Sequence, residues 1–61
     1  MMFFVFNKPN NEGFHEIKNE AGDVIATAAN TDDQAITTLN VMGYKDVDIE
    51  IVYNQEQWDA L

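Results

Sequence analysis

The chain has 61 residues, of which eleven are carboxylates and three are lysines, for a net charge of −8, and it contains no cysteine. One domain of this size buries only about 60% of the surface its unfolded chain exposes, and a hydrophobic share of 46% is too rich for a disordered acidic chain. The charge disfavours direct binding to DNA or RNA, which needs cations against phosphate, while the lack of cysteine removes disulfides and thiolate metal sites and fits a reducing cytoplasm.

The chain opens on MMFFVF, an uninterrupted apolar run. It lacks the basic flank of a signal peptide and is far too short to span a bilayer, so it predicts a strand over residues 2–7. Pro9, Asn10, Asn11, Glu12 and Gly13 make a turn-rich break, and a second, antiparallel strand follows over 14–19. Glu20, Ala21 and Gly22 turn the chain again. DVIATAA, residues 23–29, reads as a third strand, β-branched where it starts and alanine-rich where it ends.

Thr31 begins a helix over about 32–43: its hydroxyl caps the first turn and Gln34, three residues on, completes a capping box. Asp32 and Asp33 place negative charge at the positive end of the helix dipole. Ala35, Ile36, Leu39 and Met42 follow helical spacing, with Gly43 as the stop, so one apolar side is made to lie on a sheet. DVDIEIVY then alternates cleanly and predicts a fourth strand over 47–53, with Val47, Ile49, Ile51 and Tyr53 on one face and Asp48, Glu50 and Val52 on the other. The tail, 55–61, forms a terminal turn carrying Trp58 and Leu61.

The order is βββαβ, a single α+β domain over 1–61. A right-handed crossover makes strand four parallel to strand three and pairs it beside strand one, for a four-stranded mixed sheet of order 3-2-1-4 with one helix on one face. MMFFVF is then central, which accounts for its hydrophobicity. The face opposite the helix keeps either Phe4 and Phe6 or Phe3 and Val5, according to register, together with Val52 and, at its margin, Ile25. Two phenylalanines and a valine would expose roughly 400–600 Å², close to the largest patch of an ordinary monomer. Trp58 either closes this face as a lid or stands out as a binding anchor.

Catalytic inventory is poor. Serine, cysteine and arginine are absent, and His15 and Glu16, adjacent on a strand, point to opposite faces, so they make no dyad and His15 is expected to be partly exposed. No phosphate-binding loop, zinc spacing or metalloprotease motif occurs. Asp46, Asp48 and Glu50, read as alternate strand residues, form a straight ladder with steps of about 6.5 Å. Metal coordination needs oxygens converging within about 2.0–2.6 Å of one ion, which a straight ladder does not supply. The expectation is a chain with no enzymatic activity, cofactor or metal.

The same ladder, joined by Asp32 and Asp33 and by the tail acids Glu56 and Asp59, forms an acidic surface suited to a basic partner protein, with Phe4, Phe6 and Trp58 as apolar anchors. Its spacing is comparable to that of successive phosphates, the geometry of nucleic-acid mimicry. In size, acidity and lack of catalytic side chains the chain is similar to the small acidic proteins with which bacteriophages bind and inhibit host enzymes, a likeness of composition that assigns no residue. The first expectation is therefore a binding module, an inhibitor or modulator of a basic partner such as a nucleic-acid-binding protein. A second is a small homo-oligomeric structural or accessory subunit, a homodimer for example, associating through the apolar sheet face.

Overall fold

A computed structural model describes the backbone of residues 1–61 and every side chain except that of Ala28. The elements are β1 (Phe3–Phe6), β2 (His15–Lys18), β3 (Val24–Ala29), α1 (Asp32–Val41), β4 (Ile49–Val52) and α2 (Gln55–Asp59), with a 3-10 turn at Asp46–Asp48 before β4. The sheet has the order β3-β2-β1-β4. β1 pairs antiparallel with β2 and parallel with β4, and β2 pairs antiparallel with β3, so the βββαβ topology expected from the sequence is the one formed.

Short polar side chains make the turns. The Asn10 carboxamide accepts from the N–H groups of Glu12 and Phe14, at 2.9 and 3.0 Å, and closes the β1–β2 connection. Asn19 does the same for Asp23 at 3.0 Å between β2 and β3. Gly22 in that turn has φ +84°, and a Cβ there would collide with the carbonyl of Leu61, so the chain terminus is packed against this turn.

α1 is capped at both ends by its own sequence. Thr31 Oγ1 accepts from the Gln34 N–H at 3.0 Å. The Gln34 side chain reaches back one residue further than a capping box requires, accepting from Asn30 N–H at 2.8 Å. At the other end, Gly43 N–H bonds to Asn40 O and Tyr44 N–H to Leu39 O, both at 3.0 Å, and Gly43 takes φ +100°. These two bonds define a Schellman stop.

That stop corrects one expectation about the core. Met42, read as the last residue of the apolar stripe, is 59% exposed. The chain reverses at Gly43 and delivers Tyr44 in its place, with its ring centroid 4.3 Å from that of Phe3. Phe3, Val5, Ile17, Ala35 and Leu39 form the buried centre, with Ile36, Tyr44, Ile49, Ala26 and Ala29 packed around it. Register is thereby settled: Phe3 and Val5 lie under α1, and Phe4 and Phe6 face the other way.

The fourth strand is shorter than its alternation suggests. Asp48 N–H bonds to Lys45 O at 2.9 Å and Ile49 N–H to Asp46 O, so residues 46–48 coil instead of extending. Asn40 pins the coil, its Nδ2 donating to both Tyr44 O and Asp46 Oδ1 at 2.9 Å. As a result Val47 is 82% and Tyr53 62% exposed, and only Ile49 and Ile51 of the expected core face meet β1.

The packing sets a contrast between two helix positions. Leu39→Ala, at a fully buried site, should cost about 2–5 kcal/mol and leave the chain close to unfolded. Met42→Ala should change stability by less than about 0.5 kcal/mol. Urea unfolding followed by circular dichroism measures both, and comparable losses would contradict the replacement of Met42 by Tyr44.

Candidate functional site

The face opposite α1 is built on β1, whose Phe4 and Phe6 point away from the helix. Beside them, β4 register places Glu50 next to Phe4 and Val52 next to Phe6, and β2 register places Lys18 opposite Phe4. α2 folds across this face. Asn54 caps it, accepting from the N–H groups of Glu56 and Gln57 at 2.8 and 3.3 Å, and so turns Trp58 inward. The indole lies on Phe6 with ring centroids 4.9 Å apart and planes 6° from parallel. Phe6, Val52 and Trp58 are all buried, with Phe4 packed at the margin.

Lys18 completes the closure. Its Nζ donates to Trp58 O at 2.7 Å and stands 4.5 Å from the centre of the Trp58 ring. The carbonyl at the end of α2 and the π face both favour a cation, and the aliphatic stem covers apolar surface. Only 9% of the residue is exposed, so one of the three lysines is withdrawn from the exterior. Sequence reading missed this role because a lysine on a strand is ordinarily taken as solvated, and its place opposite Phe4 depends on a register that the sequence left open.

His15 is also buried, contrary to expectation. Its Nδ1 lies 2.7 Å from Phe6 O, and since a carbonyl can only accept, Nδ1 carries the proton and donates. The ring ties β2 to β1, and among the described residues no carboxylate lies within hydrogen-bond distance of it. Among the described residues no buried side-chain nitrogen or oxygen lacks a partner.

The expected site residues are dispersed by the structure. Asp32 accepts from Asn7 Nδ2 at 2.9 Å, joining the start of α1 to the end of β1, while Asp33 is exposed beside it. Asp46 and Asp48 lie on the 3-10 turn, and Glu50 alone is on the strand. The evenly stepped ladder of Asp46, Asp48 and Glu50 is therefore absent: coiling at 46–48 removes the extended spacing on which it depended. Phe6 and Trp58 occupy each other as core, and of the expected apolar anchors only Phe4 keeps partial exposure. Association through an open apolar sheet face has correspondingly little surface to use.

Two shallow clefts open on the surface, the first of them beside α1. One, of about 290 Å³, lies between α1 and β3 and is lined by Ile17, Ala26, Ala29, Gln34, Thr37 and Thr38, none of which titrates. The other, of about 360 Å³, is lined by Met1, Phe3, Asn19, Glu20, Ala21, Ile25 and Tyr44, and its ionisable groups are the Met1 ammonium, the Glu20 carboxyl and the Tyr44 phenol. Neither places a nucleophile beside a base. Among the described residues no three carboxylates or histidines converge as metal ligands.

If Trp58 is the lid on this face, Trp58→Ala should destabilise the fold by about 3–5 kcal/mol, and Trp58→Phe, which keeps the stack on Phe6, by distinctly less. Thermal melts of the two variants measure the difference, and a Trp58→Ala melt matching that of the unaltered chain would show that α2 does not close the sheet. No protein-family model matches the chain, and neither does any of the curated proteins or solved structures compared with it.

Proposed function

We propose that this chain is a non-enzymatic binding protein that engages a basic surface on another protein and acts there as an inhibitor or modulator. The observation that carries the reading is the state of its exterior once α2 is closed. Eleven carboxylates face three lysines, of which Lys18 is buried, so the lysines left to offset the acids outside are Lys8 and Lys45. Among the described residues the one ion pair joins the Met1 ammonium to Glu20 at 3.7 Å. Carboxylates left without cations generate a field that steers a basic partner in and holds it through charge-assisted hydrogen bonds.

A nucleic-acid-binding protein is a natural partner of this kind, since its own groove is basic. The strand-ladder route to phosphate mimicry has lost its geometry, so competition with nucleic acid rests here on charge and not on matched spacing.

A partner captured on the immobilised chain and then purified should bind with an affinity that falls at least about tenfold as salt rises from roughly 50 to 300 mM. The double variant Asp48→Lys, Glu50→Lys should lose a similar factor without change in its melting curve. Calorimetric titration at both salt concentrations measures these effects, and duplex DNA added as a competitor identifies a partner whose nucleic-acid groove is the target. Affinity unchanged by salt and by the double variant would remove the acids from the site.

A further inference from the structure

The sheet ends in two open edges, β3 and β4, and they are not equivalent. Along β3 the pairing with β2 slips twice, since His15, Ile17 and Lys18 face Ala29, Ala26 and Val24. Each slip inserts an extra residue into β3, and such bulges break the even spacing of outward N–H and C=O groups and blunt an edge against further pairing. Along β4 the parallel register runs without a break, from Phe3 beside Ile49 to Phe6 beside Val52.

The direction of the free groups follows from one bond. Asn7 N–H donates to Val52 O at 2.9 Å, so the main-chain groups of Val52, and of Glu50 two residues earlier, point toward β1. By strand alternation those of Ile51 and Tyr53, and the carbonyl of Ile49, point away from the sheet. The Ile49 N–H is used by Asp46 O. Among the described residues no backbone bond engages the N–H of Tyr53 beyond the sheet. This is a short, regular row of donors and acceptors with the spacing a further strand requires.

Its surroundings specify the strand. Val47 and Tyr53, 82% and 62% exposed, stand at the two ends of the row as apolar contacts. Asp46 and Glu50 are exposed and Asp48 half-buried along it, with Lys45 directly before Asp46 and Lys8 following the Asn7 that bonds Val52. A second copy of the chain would set these acids against their own counterparts, which the net charge of −8 disfavours. We infer that the outer edge of β4 is the docking site for an extended, lysine- or arginine-bearing segment of the partner, which adds to the sheet as a fifth strand beyond β4. This rests on the basic-partner reading above and specifies its mode.

The test uses ¹⁵N-labelled protein and a blocked synthetic peptide of alternating lysine and valine, compared with the same peptide N-methylated at every residue, which keeps the charge and cannot pair as a strand. The parent peptide should shift the amide signals of residues 46–53, slow hydrogen exchange at Ile51 and Tyr53 by about tenfold, and bind several-fold more tightly than its methylated form. Tyr53→Pro removes an outward N–H at an edge position where proline is tolerated and should weaken binding beyond the loss seen for Tyr53→Ala. Equal, salt-sensitive binding of both peptides, or shifts centred on Asp32, Asp33, Glu56 and Asp59, would overturn strand addition and leave the basic-partner reading standing. No shifts with either peptide at low salt would overturn both. Protection of Ile51 and Tyr53 that grows with protein concentration in the absence of peptide would show the edge to be filled by a second copy instead, and would overturn the choice of occupant.

Discussion

Trp58 lies flat on Phe6, 4.9 Å away, with the ammonium of Lys18 held between the indole face and the carbonyl of the same tryptophan. A central strand with phenylalanine on both faces has to be covered twice, and a chain of 61 residues has one full helix to do it with. α1 covers Phe3 and Val5. The five-residue α2 is too short to hold itself together as an isolated helix, so its place depends on the asparagine cap, the aromatic stack and the lysine bond acting together. Everything outward-facing on that side of the protein follows from this closure.

Closure also redistributes charge. Burying Lys18 leaves its positive charge inside, matched by a carbonyl and a π system in place of a carboxylate, and the acids it might have paired with stay in water. The exterior thus becomes more one-sidedly acidic than composition alone implies. The apolar face opposite α1 is largely spent internally, on Phe6, Val52 and Trp58, while the acids and the outer edge of β4 stay open to solvent. The two edges of the sheet differ, since bulges break the regularity of β3 while β4 keeps an unbroken register beside exposed acids.

DVDIEIVY shows both the reach and the limit of reading such a pattern. Alternation correctly located a strand and its core-facing isoleucines, Ile49 and Ile51, because side chains on a strand alternate whatever else the chain does. It could not show that Asp46–Asp48 would coil. That outcome depends on Asn40, six residues away on the last turn of α1, whose carboxamide reaches Asp46 and Tyr44 at once. The acidic ladder disappeared for this reason, and with it the matched spacing to phosphates. Met42 and Tyr44 changed places for a related one: a glycine stop is visible in sequence, but which side chain the reversal carries over Phe3 is set by the path of the loop.

Local chemistry therefore sufficed for the Asn10 turn, the glycines, the Thr31 cap, the strand and helix order, and through chain connectivity and crossover handedness the order of the sheet. Each depends on neighbours within a few residues or on rules that hold for any chain. The tertiary structure decided which phenylalanines face α1, that Trp58 is core, that Lys18 and His15 are buried, and that β4 is the regular open edge. Those outcomes join residues as far apart as Lys18 and Trp58, and pairings at such separations are selected by competition among all the surfaces a compact chain must cover, which periodicity along the sequence does not encode.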